Sequence, residues 1–137
     1  MTVTFNTAPT LDKIKIAAMR SIIRGVEAIR KEATRSIMRG KKSGIIYHRR
    51  GVTHQASAPG EAPAADTGEL AGSITTEYNA KLLTGTITAK AIYAAALEFG
   101  TQTIEPRPFM RPALDSQRAR IQEELQAAVA KALKSSQ

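Results

Sequence analysis

Apolar residues recur through residues 11–40 at spacings of three and four: Leu11, Ile14, Ala18, Ile22, Val26, Ile29, Ala33 and Ile37. This period predicts one face of a long α-helix. Lys13, Arg20, Arg24, Lys31 and Arg35, extended to Lys42, recur at seven and four. At about 100° per residue the basic set falls opposite the apolar one. Thr10 is the expected N-cap and Gly40 the expected stop. Gly25 lies inside the helix and costs about 1 kcal/mol relative to Ala; it marks either a close-packing position or a bend.

The pattern breaks over residues 41–66. KKSGIIYHRRGVTHQ is basic and ASAPGEAPAAD is rich in Ala, Pro and Gly. Such a stretch predicts a mobile loop, with a short strand at its base over Ile45, Ile46 and Tyr47. Asp66 and Glu69 have capping-box spacing, so a short helix is expected from near Thr67. Strict alternation follows. Ile74, Thr76 and Tyr78, then Leu83, Gly85, Ile87, Ala89 and Ala91, share one face of an antiparallel hairpin turning near residues 79–81. Its natural cover is the first helix. Residues 92–99 predict a short helix ending at Gly100, where a positive φ is cheapest. Pro108 or Pro112 opens a last helix, whose apolar stripe is Leu114, Ile121, Leu125, Ala128, Val129 and Leu133. The order of elements predicts an α+β fold: a small antiparallel sheet packed by a long N-terminal helix and a long C-terminal helix, in one domain over 1–137.

Composition narrows this picture. The chain has 137 residues, 42% hydrophobic but only 4% aromatic and without Trp. The core must rest on aliphatic side chains, and contacts with subunit neighbours would supplement it. No cysteine is present, which excludes disulfides, thiol nucleophiles and Cys-ligated zinc. No apolar run reaches the roughly 20 residues of a membrane span, and the start MTVTFNTAPT lacks the pattern of a signal peptide.

Charge is one-sided. Residues 1–55 hold 12 Lys/Arg against 3 Asp/Glu, a net of +9, while residues 56–137 are close to neutral. Lys13, Arg20, Arg24, Lys31, Arg35 and Lys42, with Arg49 and Arg50 of the loop, are the candidate basic face for DNA or an acidic partner, or simply a solvated helix face. A nucleic-acid-binding module is one reading of this segment. Against it, no aromatic residues interleave with the basic ones and no nucleic-acid-binding motif is present.

Catalytic chemistry is missing. His48 and His54 both lie in the basic loop, beside Arg49 and Arg50, where positive charge opposes metal binding. No nucleophile motif or glycine-rich phosphate loop occurs. Glu123 and Glu124 are adjacent on a helix and point apart. The sequence therefore predicts no enzyme, no cofactor, no metal and no small-molecule ligand.

Three segments carry a resemblance: APGEAPAADTGELAGSI at 58–74, YAAALEFGT at 93–101 and PRPFMRPAL at 106–114. Their order resembles that of the small neck, or tail-completion, proteins of long-tailed bacteriophages. The likeness covers about residues 43–125, with the first helix agreeing in type only. It implies a structural virion protein at the head–tail junction that helps join DNA-filled heads to tails, or a sibling connector role as tail terminator or head closure. The implied partners are further copies in a ring, six-fold by analogy with phage tails, and neighbouring connector and tail proteins. The implied location is the neck of the virion, reached through the host cytoplasm during assembly. Duplex DNA passing through the lumen, or an acidic rim of an adjoining ring, would meet the basic helix.

Independently, a head-to-tail interface that closes on itself makes a ring, and a small sheet with exposed edges suits neighbour contacts. The candidate interface is Glu98, Phe99, Gly100, Arg107, Phe109, Met110 and Arg111. Aromatic and Arg residues are common interface anchors, and Arg107 and Arg111 are expected to pair with acids such as Glu98. The opposite reading of Phe109 and Met110 is that they plug the core between the hairpin and the last helix.

Overall fold

The computed structural model describes residues 2–3, 8–40, 42–49, 51–64 and 68–135. It is α+β, with the long N-terminal and C-terminal helices packed together with a small two-stranded antiparallel sheet. Helix α1 spans Ala8–Arg39. It therefore starts before Thr10, which lies within the helix instead of capping it. Pro9 favours this earlier start, since proline is tolerated in a first helical turn. The expected stop is observed: Gly40 follows the last helical residue, its N–H donating to Ser36 O at 3.1 Å.

α1 is the centre of the fold, contacting both the sheet and the C-terminal helix α4 (Met110–Ser135). The sheet pairs β3 (Ile74–Asn79) with β4 (Thr84–Ala89) in antiparallel register, Ile74 opposite Ala89 and Tyr78 opposite Gly85. Along β4, Gly85, Ile87 and Ala89 are half-buried while Thr84, Thr86 and Thr88 are exposed, as the period of two predicts. The turn is longer than expected. Leu83 leaves the strand with φ 52°, and Asn79 Oδ1 accepts the Leu82 N–H at 3.0 Å.

Two glycines let the elements approach α1. A Cβ on Gly85 would stand 2.6 Å from Val26 Cγ2 and 3.0 Å from Ile22 Cγ2. A Cβ on Gly25 would stand 3.0 Å from Ile121 Cγ1. Gly25 is thus a close-packing position for α4, and its helix-propensity cost is offset by that contact. The pairing of Gly25 with Ile121, and of Ser36 with Pro112 around a shared cleft, makes α1 and α4 antiparallel.

The core joins Ile29, Ala33 and Ile37 of α1 to Leu70, Ile74, Ala94, Phe109 and Ala113. Two stripe positions are exposed. Leu11 is 49% exposed and Leu133 is 44% exposed. They lie at the same end of the antiparallel helix pair, away from the sheet and the cluster around Ile37. The α2 turn (Glu69–Gly72) supplies Leu70 to the core. Its expected cap at Asp66 and Thr67 lies outside the described residues, and Gly68 precedes it with φ 78°.

The stretch expected to be a loop contains a second hairpin. β1 (Ile46–Arg49) pairs with β2 (Val52–Gln55), Ile46 opposite Gln55. Its base is bonded to the body of the protein. Glu61 accepts the Ser43 N–H at 2.8 Å and the Ala58 N–H at 3.0 Å, and the Gly60 N–H donates to Pro106 O at 3.0 Å. Ser57 and Pro63 are buried.

Candidate functional site

The segments that carry the candidate interface meet at one corner. α3 (Ala94–Phe99) ends at Gly100, whose φ of 76° and ψ of 172° are open essentially to glycine alone. A Cβ there would also stand 2.9 Å from both Ile104 O and Pro106 Cδ. The chain then makes a tight loop in which Thr101 Oγ1 accepts the N–H groups of Thr103 and Ile104. It returns past α3, where the Arg107 N–H donates to Leu97 O at 2.6 Å.

Glu98 joins the two halves of the corner. Its carboxylate accepts three successive backbone N–H groups at the start of α4: Phe109 at 2.8 Å, Met110 at 3.0 Å and Arg111 at 2.8 Å. Helix starts leave such donors without intrahelical partners and favour negative charge. The expected pairing of Glu98 with Arg107 and Arg111 side chains is therefore corrected. Arg111 Nε faces Asp115, one turn along α4, at 3.3 Å, and Arg107 Nε donates to Ser57 O at 3.4 Å. The free amides are closer to Glu98 and are fixed by the helix, whereas each guanidinium has a nearer acceptor of its own.

Phe109 is also corrected as an interface residue. It is 2% exposed and belongs to the core. Met110 is half-buried against the same cluster. Phe99 is the opposite case, at 78% exposed. It borders a cleft of about 420 Å³ together with Ile87, Ala89, Met110 and Leu114. Ile92, fully exposed, and the partly exposed Tyr93 and Ile104 lie on the chain at either side of α3. Ile92 and Tyr93 were not foreseen, because their periodicity matches a buried helical segment as well as a surface one, and Ile104 stands in a loop, where no period marks a face.

The basic ridge is real along α1 and ends with it. Lys13, Arg20, Arg24, Lys31 and Arg35 are all exposed. Lys42 departs from them. Its Nζ donates to Ser36 O at 2.9 Å and Ala62 O at 2.8 Å, tying the end of α1 to the loop. Burial lowers its pKa below the ordinary lysine value, with the nearby Glu61 charge opposing the shift. The helix stops at Arg39, so the period of seven no longer governs residue 42. The side chain of Arg49 and all of Arg50 lie outside the described residues. The structure instead adds Arg39 and, from α4, Arg120 to the cleft that Arg24, Lys31 and Arg35 line. Arg120 is remote in sequence, and only the α1–α4 pairing brings it there.

His48 stands opposite Thr53 and His54 opposite Tyr47 in the β1–β2 register. Paired residues share a face and neighbours alternate, so the two imidazoles are on opposite faces of the hairpin. His48 Nδ1 lies 3.1 Å from Thr53 Oγ1. Among the described residues no group of three or more His, Asp or Glu could hold a metal ion, and no helix is long and apolar enough to cross a membrane.

No protein-family model, curated protein or solved structure matches the chain.

Proposed function

We propose that this chain is a non-enzymatic structural protein of the head–tail junction of a long-tailed phage, acting as one copy of a six-fold ring that helps join DNA-filled heads to tails. The observation that carries the reading is the exposure of Phe99 over an apolar cleft, at the corner where the YAAALEFGT and PRPFMRPAL segments meet. Clustered apolar surface of this kind marks a partner site. It also refines the interface: Phe99, Ile92 and the cleft wall face outward, while Glu98, Gly100 and Phe109 hold the corner in shape. A corner whose shape is set by capping and core packing can present the same apolar surface to each neighbour, as a closed ring needs. The partners on this reading are further copies of the chain and adjoining connector and tail proteins. Its place is the virion neck, after assembly in the host cytoplasm.

Removing the chain from the producing phage tests the proposal. DNA-filled heads and finished tails should accumulate unjoined. Normally joined, infectious particles made without it would overturn the reading.

A further inference from the structure

The exposed face of α1 is a line of cations with a physical length. Lys13, Arg20, Arg24, Lys31 and Arg35 fall within about 60° of one another at 100° per residue, and at 1.5 Å rise per residue they extend about 33 Å. Among the described residues, Lys13, Arg20, Arg24 and Lys31 make no ion pair, whereas Arg35 pairs with Glu32 at 2.8 Å and Arg30 with Glu27 at 2.8 Å. Beside the line runs a cleft of about 680 Å³ whose walls hold Arg24, Lys31, Arg39 and Arg120. Among the described residues, Glu27 is the one acid that lines it, and Ala28 and Thr34 are its small residues, with Met38 its one large apolar side chain.

We propose that this face binds the sugar–phosphate backbone of duplex DNA, without reading its sequence. A protein partner would be expected to meet an apolar centre with aromatic or aliphatic anchors, and the cleft offers only Met38. A duplex asks for something different: it carries one negative charge per roughly 1.7 Å of axis, and cations that displace its counterions suffice to hold it. Cations set over small residues along one face of a 32-residue helix suit a regular, extended polyanion. The proposal stands apart from the ring: a chain that binds duplex and forms no ring fails only the ring reading, and a ring that ignores duplex fails only this one.

Arg39, in the cleft wall, makes no ion pair among the described residues either, so five unpaired cations set the expected salt dependence. Five phosphate contacts give a slope of about −4.5 in log K against log salt, roughly a 500-fold loss of affinity between 50 and 200 mM. The test uses the full chain and two labelled duplexes of unrelated sequence, followed by fluorescence anisotropy across that range. Both duplexes should bind equally. The triple variant Arg20→Gln, Arg24→Gln, Lys31→Gln leaves Lys13 and Arg39 and should give a slope of about −1.8, with only a roughly twelvefold loss over the same range. A second triple variant, Lys81→Gln, Lys90→Gln, Lys131→Gln, carries the same change in net charge on other exposed surface and should keep most of the slope. Equal loss in the two variants would overturn the proposal, because net charge alone would then explain binding. Polyglutamate that displaces the duplex charge for charge would overturn it too, by assigning the face to acidic polypeptide.

Discussion

Replacing Glu98 by Ala removes the acceptor of three backbone N–H groups at once. The Arg111 N–H is exposed, and water can replace the carboxylate there. The N–H groups of Phe109 and Met110 are part-buried, 2.8 and 3.0 Å from the same oxygen, Oε2. Loss of a single capping side chain costs about 0.5–2 kcal/mol, and hydrogen bonds to charged acceptors are stronger than neutral ones. Two poorly rehydrated donors and the lost charge at a helix N-terminus together predict a cost of about 2–4 kcal/mol. Glu98→Gln can keep one carbonyl oxygen for Phe109 and Met110, and should cost about 1–2 kcal/mol. Urea unfolding reads both values as a lower midpoint at an unchanged slope. Amide exchange at Phe109, Met110 and Arg111 should quicken in the Ala variant. An Ala variant within 0.5 kcal/mol of the parent would refute the capping role and reopen the pairing of Glu98 with arginine.

Phe109→Ala should destabilise the isolated chain by about 3–5 kcal/mol; a normal melt with failed assembly would instead make Phe109 an anchor. Gly85→Ala forces a methyl to 2.6 Å from Val26 Cγ2 and should cost about 1–3 kcal/mol in the same unfolding assay; no loss would mean that the sheet does not lie this close to α1. Phe99→Ser, at an exposed position, should leave thermal stability within about 0.5 kcal/mol of the parent while head–tail joining falls in a complementation assay; full joining would remove Phe99 from the interface.

The long elements were legible because their periods are strong. The alternation through residues 84–89 and the apolar stripe of α1 each predict both an element and its buried face, whereas along residues 74–79 burial fades from Ile74 onward and Tyr78, expected on the buried face, is exposed. The β1–β2 hairpin was less so. Each face mixes apolar and polar residues, Ile46 with His48, Thr53 and Gln55 on one and Tyr47 and Val52 with Arg49 and His54 on the other, so no alternation marks them; a backbone ladder joins its strands, and bonds at its base tie it to the body. Gly51, with φ 77° at its tip, was the available signal. The corner at Glu98 was legible as a place but not as a mechanism. Opposite charges nearby in sequence suggested ion pairs, yet the better donors are main-chain amides that exist only once α4 has formed. Lys42 shows a related failure: its spacing continued a helical period three residues beyond the helix. Arg120 could be placed beside Arg24 only by the antiparallel contact of α1 and α4, built on Gly25 and Ile121.

On the proposed function, electron microscopy of purified phage particles assembled with this chain tests the central claim most directly. The account predicts a ring of this fold at the neck, between head and tail, with Phe99 of each copy covered by its neighbour. Density for the chain at the tail tip, or particles that lack the chain altogether, would contradict it.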